Sequence, residues 1–367
     1  LADRAPDDAA TLVNLAVLHR DLGAHDRALH WIERALAAEP GNALAHFTRG
    51  VVLMRLGRLA EGWRELEWRW RRHDRSSIPL DGPWPPWRGE PVGNRPLLVW
   101  GEQGPGDVIL HASMLNDLVA RVGRVILAVE RRLVPVLARS FSAVTVVEPA
   151  ALPEAGASAA AQVAIGSLGN WLRPDFASFP PGAPYLRADP ARVASLRGRY
   201  RALPGEGPLV GISWTSTASR FKTTGLADWA PLLRAAPARF VSLQYGDHAA
   251  ELAAAAVPVE HDPAIDPLAD LDGFAAQVAA MDLVVTTSNT TAHFAGALGV
   301  PTRVLVPRGR GSLWYWFDGR ADSPWYPPTL RLFHQRRQFD WPDTLAAAAR
   351  EMPGWVAAAQ PPGGSTA

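Results

Sequence analysis

The chain has 367 residues, too many for one ordinary domain and suited to two or three. With 48% hydrophobic and 20% charged residues its composition is globular, and no apolar run reaches the roughly 18–20 residues that span a bilayer. It has no cysteine, which excludes disulfides, thiolate metal sites and a cysteine nucleophile, and a net charge of +1, which argues against nucleic acid as the main partner.

The opening Leu1-Ala2-Asp3-Arg4 is polar and unlike a secretory leader, so the expected location is cytoplasmic. Among the cations, Lys222 is the only lysine and all others are arginine. A GC-rich genome explains a general bias toward arginine. A retained lysine also suits a position that needs a compact ammonium instead of a guanidinium fork.

Repeats come first along the chain. Gly23, Ala28, Ala35 and Pro40 follow the spacing G-x4-A-x6-A-x4-P of a tetratricopeptide (TPR) helical hairpin, a motif of about 34 residues. One repeat later Ala16, Gly23 and Ala28 correspond to Gly50, Gly57 and Gly62; one repeat earlier Pro40 corresponds to Pro6. Small residues recur there because two helices must approach closely. Residues 1–75 are therefore expected to be TPR helices, with Leu1 to Pro6 the tail of an earlier repeat. An ordinary pair of helical hairpins is the plainer alternative. Past Gly62 the pattern gives way to Trp63, Leu66 and Trp70 on one helical face, expected to dock on the next domain.

Residues 76–96 form a linker rich in Pro, Gly and Trp, which forbids regular helix. Its tryptophans are expected to pack on a surface. From Leu97 short apolar runs alternate with helical stretches. Strands are expected at Leu97–Trp100, Val125–Val129 and Val144–Val147, with a further one at Ala161–Ile165. Helices are expected at Val108–Val122 and Val134–Ser140. A second alternating unit runs through Leu209–Trp214, Phe240–Gln244, Leu283–Thr287 and Thr302–Val306, with helices at Phe274–Met281 and Thr291–Leu298. The fold class is α/β: two Rossmann-like lobes, 97–190 and 205–340, behind all-α helices, with a closing helix and tail at 341–367. Such sheets place ligands at the carboxyl ends of their strands.

Three segments leave strand ends. The first, Thr286 to Pro301, is a polar loop followed at once by a helix rich in small residues. Asn289 or Thr290 is suited to cap it, and its first amides favour an anion such as a sugar-nucleotide phosphate. Simple capping is an equal reading, and His293 suits either phosphate contact or packing. The second, Ser213 to Lys222, offers Ser213, Trp214, Thr215 and two cations; Lys222 is suited to neutralise a departing phosphate. The third, Trp100 to Val108, lacks the spacings of the phosphate-binding glycine loops. It carries Gly106 and Asp107, and Asp107 is suited either to be a general base for an acceptor hydroxyl or to cap its helix. Serine-hydrolase, metalloprotease and calcium-loop motifs are absent from the sequence.

The order TPR, W-x-G linker, "EQGPGD", "GISW", "SLQ", "SNTTAHFAGALGVP" and "DSPWYPPTLRLFHQ" resembles bacterial TPR proteins that carry a glycosyltransferase domain. That domain is similar to the ADP-heptose lipopolysaccharide heptosyltransferases and, more distantly, to O-GlcNAc transferase. Some relatives with this layout are flagellin glycosyltransferases. The resemblance implies a GT-B fold and an inverting transfer from a nucleotide sugar, without metal or other cofactor. It makes Asp107 the base and Lys222 the lysine at the donor phosphate. Asn289, Thr290, Thr291 and His293 match the phosphate loop, and Gln244 falls in the nucleotide region. Ser288 stands where that family has Asp, which bears on the donor's identity. The implied acceptor is a protein recruited by the TPR helices. The alternatives are an inactive or nucleotide-sensing scaffold, and a saccharide or lipopolysaccharide transferase.

Overall fold

The structure is a computed structural model, described for residues 8–72, 78–217 and 219–359. The expected repeat tail at Leu1 to Pro6, the start of the linker at Ser76 and Ser77, Ala218, and the tail beyond Ala359 lie outside the described residues. Along the chain the helices are α1 (Ala9–Asp21), α2 (His25–Ala38), α3 (Ala43–Arg55), α4 (Leu59–Leu66), α5 (Pro105–Ala112), α6 (Leu115–Val122), α7 (Val134–Ser140), α8 (Leu152–Ala155), α9 (Gly169–Leu172), α10 (Pro190–Arg201), α11 (Ala230–Leu233), α12 (Ala249–Ala253), α13 (Leu271–Ala279), α14 (Thr290–Leu298) and α15 (Trp341–Ala359). The strands are β1 (Leu97–Trp100), β2 (Val125–Ala128), β3 (Val144–Val147), β4 (Ala161–Ala164), β5 (Leu209–Ser213), β6 (Arg239–Ser242), β7 (Val259–Glu260), β8 (Leu283–Thr287), β9 (Thr302–Val306) and β10 (Leu330–His334).

The chain divides into two compact units. The first comprises Leu1–Val129, Ala143–Pro180 and Gly309–Arg320; the second comprises Glu130–Ser142, Pro181–Arg308 and Ala321–Ala367. This partition differs from the expected lobes in two internal segments. The stretch around α7 goes with the second unit because Arg139 reaches Asp272 on α13 with two hydrogen bonds, of 2.6 and 2.9 Å. Residues Gly309–Arg320 go with the first unit, for reasons given below.

In the first unit, helices α1 to α4 repeat in register. Ala9 and Ala43, Asp21 and Arg55, and His25 and Leu59, all helix boundaries, are each 34 residues apart. Gly50 and Gly62 permit the close approach of α3 and α4: a Cβ on Gly50 would stand 2.9 Å from the Leu66 amide, and one on Gly62 would stand 2.7 Å from Met54 Cγ. Helix α4 stops at Leu66 and a 3-10 turn continues to Arg71. Its aromatic face docks as expected. Trp63 donates to the Arg173 carbonyl at 2.8 Å and covers Gly169, while Trp70 lies 5.6 Å from Trp100.

The four-stranded sheet of this unit is parallel, in the order β3-β2-β1-β4. The linker extends it. The Trp87 amide donates to the Gln162 carbonyl at 2.8 Å and the Gln162 amide to the Pro85 carbonyl at 2.9 Å, so Pro86 bridges the free edge of β4. A proline suits that edge because it lacks an amide hydrogen. The helix expected over Val108–Val122 is two helices, broken at Ser113 and Met114, where the Ser113 hydroxyl turns back to the Leu110 carbonyl.

The second unit holds a six-stranded parallel sheet in the order β10-β9-β8-β5-β6-β7. Its apolar core joins Val210, Ile212 and Trp214 of β5 and its exit loop to Trp229, Leu283 and Val285. Trp341, Leu345 and Met352 of α15 close it from one side. Helix α15 lies within the segment 341–367 expected to hold a closing helix and tail.

Candidate functional site

The carboxyl end of the second sheet collects most of the expected donor-site residues. Register aligns the strand ends, with Ser213 opposite Thr286 and Ile212 opposite Ser242. Asn289 caps α14, accepting from the Thr291 amide at 3.0 Å and from Thr286 Oγ1 at 3.1 Å. Its amide nitrogen donates to Ser213 Oγ at 2.7 Å and to the Thr215 carbonyl at 2.9 Å. Both its donors and both its lone pairs are therefore engaged.

Gln244 does the same from the other side. Its Oε1 accepts from Ser213 Oγ, the Trp214 amide and the Thr215 amide, each at 3.0 Å. The chain Gln244–Ser213–Asn289 thus ties the ends of β6, β5 and β8 together in a buried network, where hydrogen bonds reinforce one another. These side chains shape the site's floor and hold its backbone.

Trp214 is fully buried and donates to Glu251 Oε2 at 3.0 Å, so its indole belongs to the core. Glu251 also accepts from the Leu226 amide and pairs with His248, and these hydrogen bonds outweigh burial to hold its carboxyl below the usual range. Thr223 Oγ1 donates to the Ser216 carbonyl at 3.0 Å and contacts Thr215 Oγ1 at 3.1 Å, which closes the loop after β5. Lys222 ends the short 3-10 turn of that loop and is buried.

Around the first turn of α14, Ser288, Thr291 and His293 are buried while Thr290 is half-exposed. The Thr291 hydroxyl is buried without a hydrogen-bond partner. His293 Nδ1 lies 2.5 Å from Tyr326 Oη. The network therefore unites Ser213, Thr215, Gln244 and Asn289, with Thr291 at the cap.

A cavity of about 670 Å³ in the same unit lies where β6 and β7 begin, lined by Leu203, Arg239, Phe240, Val259 and Glu260. It is at the amino end of the strands, so size alone does not mark the site. Among the described residues no cluster of three or more His, Asp or Glu is placed to hold a metal ion, and no helix is long and apolar enough to cross a membrane.

Gly106 and Asp107 lie in the first unit, in the first turn of α5. Gly104 is the cap and Pro105 the first helical residue, so Asp107 is not the capping residue; it is half-buried. The preceding loop is pinned by an ion pair absent from the sequence reading. Buried Arg69 donates to Glu102 Oε2 at 2.8 Å and Oε1 at 2.9 Å, and also to Ser167 and Glu67. Four residues after Asp107, His111 is buried between Trp63 and Trp314. Burial and then the Arg69 charge pull its pKa down to about 4.

Residues Gly309–Arg320 complete this surroundings. Arg55, buried on α3, donates to the carbonyls of Gly309 and Ser312, and the Asp318 amide donates back to the Arg55 carbonyl at 3.4 Å. His25 contacts Asp318 at 2.5 Å, and Phe317 packs edge-on to Phe176 at 5.0 Å. Trp314 meets Trp63 at 5.2 Å. Tyr315 is pushed well above an ordinary phenol by burial and then by the negative charge of Asp107. The aromatic run Trp314-Tyr315-Trp316-Phe317 is the sequence signal that could have marked this segment.

No protein-family model matches the chain. It is 34% identical to Protein FlbA of Caulobacter vibrioides over 382 positions, covering 96% of this chain and 63% of that protein. The chain thus spans less than two thirds of that relative's length. Among solved structures it is similar to the E. coli ADP-heptose lps heptosyltransferase II, at 14% identity and a TM-score of 0.49, covering 70% of this chain and 98% of that one. It is also similar to the glycosyl transferase family 9 protein from Veillonella parvula DSM 2008, at 13% identity and a TM-score of 0.47, covering 67% and 87%.

Proposed function

We propose that the chain is a glycosyltransferase that moves a sugar from a nucleotide donor to an acceptor hydroxyl. One observation carries the reading. The Gln244–Ser213–Asn289 chain fixes the loop bearing Lys222 and the first turn of α14 at the same end of one sheet. A helix start and an ammonium suit a leaving phosphate. The motif order around these residues, similar to that of heptosyltransferases, supports the same chemistry.

In the proposed step the acceptor oxygen bonds to the anomeric carbon and the carbon–phosphate oxygen bond breaks. Asp107 takes the hydroxyl proton. Lys222 and the start of α14 stabilise the departing nucleotide phosphate, and Thr215 and Thr290, the half-exposed hydroxyls, are suited to meet it. The transfer is inverting and uses no metal in this reading. The acceptor is a protein, flagellin being the candidate implied by the resemblance, recruited by TPR-type helices α1 to α4 in the cytoplasm.

Thermal-shift measurements with UDP-, GDP-, ADP- and CMP-sugars test the donor, since a ligand selective for the native state raises Tm. Turnover with the responding donor is expected to fall roughly 100- to 10,000-fold in Asp107→Ala with donor binding retained. In Lys222→Ala both binding and turnover are expected to fall. If no sugar nucleotide shifts Tm, the enzyme reading fails. A scaffold reading then gains, and it has one observation in its favour: Asn289 and Gln244 direct their hydrogen bonds inward.

For the acceptor, deleting the helices is a poor test, because Trp63 and Arg69 are buried in the first unit. Exchanging exposed Leu18 and Leu22 for Asp leaves the core intact. Loss of protein glycosylation with donor binding unchanged supports recruitment through α1; unchanged glycosylation removes it.

A further inference from the structure

We propose that the first unit carries a saccharide-binding pocket, walled by four tryptophans and Gln162, that holds one ring of a neutral sugar. It uses none of the donor residues of the second unit. It suits a glycan already present on an acceptor or product.

The cavity measures about 290 Å³, close to the lower end of ligand pockets at roughly 300 Å³. It lies beside the carboxyl ends of β1 and β4. Its tryptophans come from separate stretches of sequence. Trp70 belongs to the 3-10 turn after α4, Trp87 to the linker, Trp100 to the end of β1 and Trp171 to α9. Trp70 and Trp100 stand 5.6 Å apart with planes tilted by 49°; Trp87 and Trp171 stand 4.6 Å apart, tilted by 51°. Trp87 and Trp100 are buried, while Trp70 and Trp171 are half-buried. Indole walls of this kind suit the C–H faces of a sugar ring.

The charges at the wall are already spent. Glu67 accepts from Arg69 at 2.8 Å and from the Ser167 hydroxyl at 2.7 Å. The Arg69 guanidinium also lies 4.0 Å over the Trp70 ring. A cationic ligand would therefore meet a neutralised carboxylate and an aromatic face already covered. An anion fares no better. The five N–H groups of Arg69 go to Glu102, Glu67, Ser167 and the Leu66 carbonyl.

Two neutral groups remain. Trp70, Trp87 and Trp171 donate their indole protons to Glu67, the Glu90 carbonyl and the Arg88 carbonyl. Trp100 Nε1 is buried without a partner among the described residues. Gln162 Nε2 donates to the Leu80 and Trp84 carbonyls at 3.3 and 3.1 Å, which fixes the amide's orientation and leaves Oε1 to accept. One lone donor and one lone acceptor call for a group that does both, and a hydroxyl is that group. A sugar carries hydroxyls at its rim and C–H bonds on its faces, which matches the wall on both counts.

The test is saturation-transfer NMR on the whole chain with methyl glycosides of glucose, galactose, mannose, rhamnose and N-acetylglucosamine. At least one is expected to bind, with saturation strongest on its ring C–H protons. Its affinity is expected to fall at least tenfold in Trp171→Ala and roughly tenfold in Gln162→Met, with most of it kept in Trp171→Phe. Unchanged near-ultraviolet circular dichroism establishes that each variant is folded. The inference is overturned if no glycoside binds, or if binding is the same in Trp171→Ala and Gln162→Met. It is also overturned if ADP or UDP displaces the glycoside, which assigns the sugar to the donor site, or if tetramethylammonium binds and the glycosides do not. Glycoside binding without any response to sugar nucleotides supports the pocket and sinks the donor reading; the reverse result sinks the pocket alone.

Discussion

Asn289 donates to Ser213 Oγ at 2.7 Å across 76 positions of sequence, both residues buried. That bond joins the start of α14 to the exit of β5 and so decides where the two polar loops stand. Replacing Asn289 by Ala is expected to destabilise the chain by about 3 kcal/mol, because Ser213, the Thr215 carbonyl and the Thr291 amide all lose a buried partner. Asn289→Asp keeps the two acceptor contacts and turns a carboxylate oxygen against the Thr215 carbonyl, so its cost should be at least as great. Urea unfolding curves check both, and the nucleotide response should be lost in each.

Thr291 separates a structural site from a binding one. Its hydroxyl is buried without a partner, so Thr291→Val should leave stability unchanged or raise it by about 1 kcal/mol. Donor affinity should fall several-fold if the hydroxyl serves phosphate. A valine variant with unchanged affinity would assign Thr291 to packing alone.

The loop ahead of Asp107 depends on Arg69 and Glu102. Removing either charge alone, as in Arg69→Met or Glu102→Gln, leaves the other buried, at an expected cost of about 3–5 kcal/mol. The double variant should cost clearly less than the sum of the two. A double-mutant cycle in urea measures the coupling; simple additivity would contradict the bidentate geometry.

His111 makes stability depend on pH. Its folded pKa of about 4 lies below the unfolded value of 6.5, so below 6.5 the unfolded chain binds a proton that the folded chain refuses. This contribution is full above pH 6.5 and is lost as pH falls toward 4, by about 3 kcal/mol. His111→Phe should flatten that part of the stability curve. Denaturation midpoints at pH 7, 6 and 5 for both chains provide the comparison.

Local patterns marked the elements well. Apolar runs such as Leu283–Thr287 and Thr302–Val306 became β8 and β9 with the same bounds, because buried parallel strands carry continuous apolar sequence. The Asn289 cap was legible because capping is a matter of neighbouring residues. Strand β10 and helix α10 went unmarked. Leu330–His334 is short, and the low amphipathicity of Pro190–Arg201 left no apolar stripe to see.

The sequence by itself determined the two alternating α/β stretches, the helical repeats ahead of them and the polar loops at strand ends, because each is written in the spacing of neighbouring residues. Only the tertiary structure decided that Gln244 and Asn289 meet at Ser213, that Glu102 lies buried against Arg69, and that Gly309–Arg320 belongs with the first unit. Those are partnerships between side chains far apart in sequence. Their energy comes from burial and paired hydrogen bonds, which no local spacing encodes.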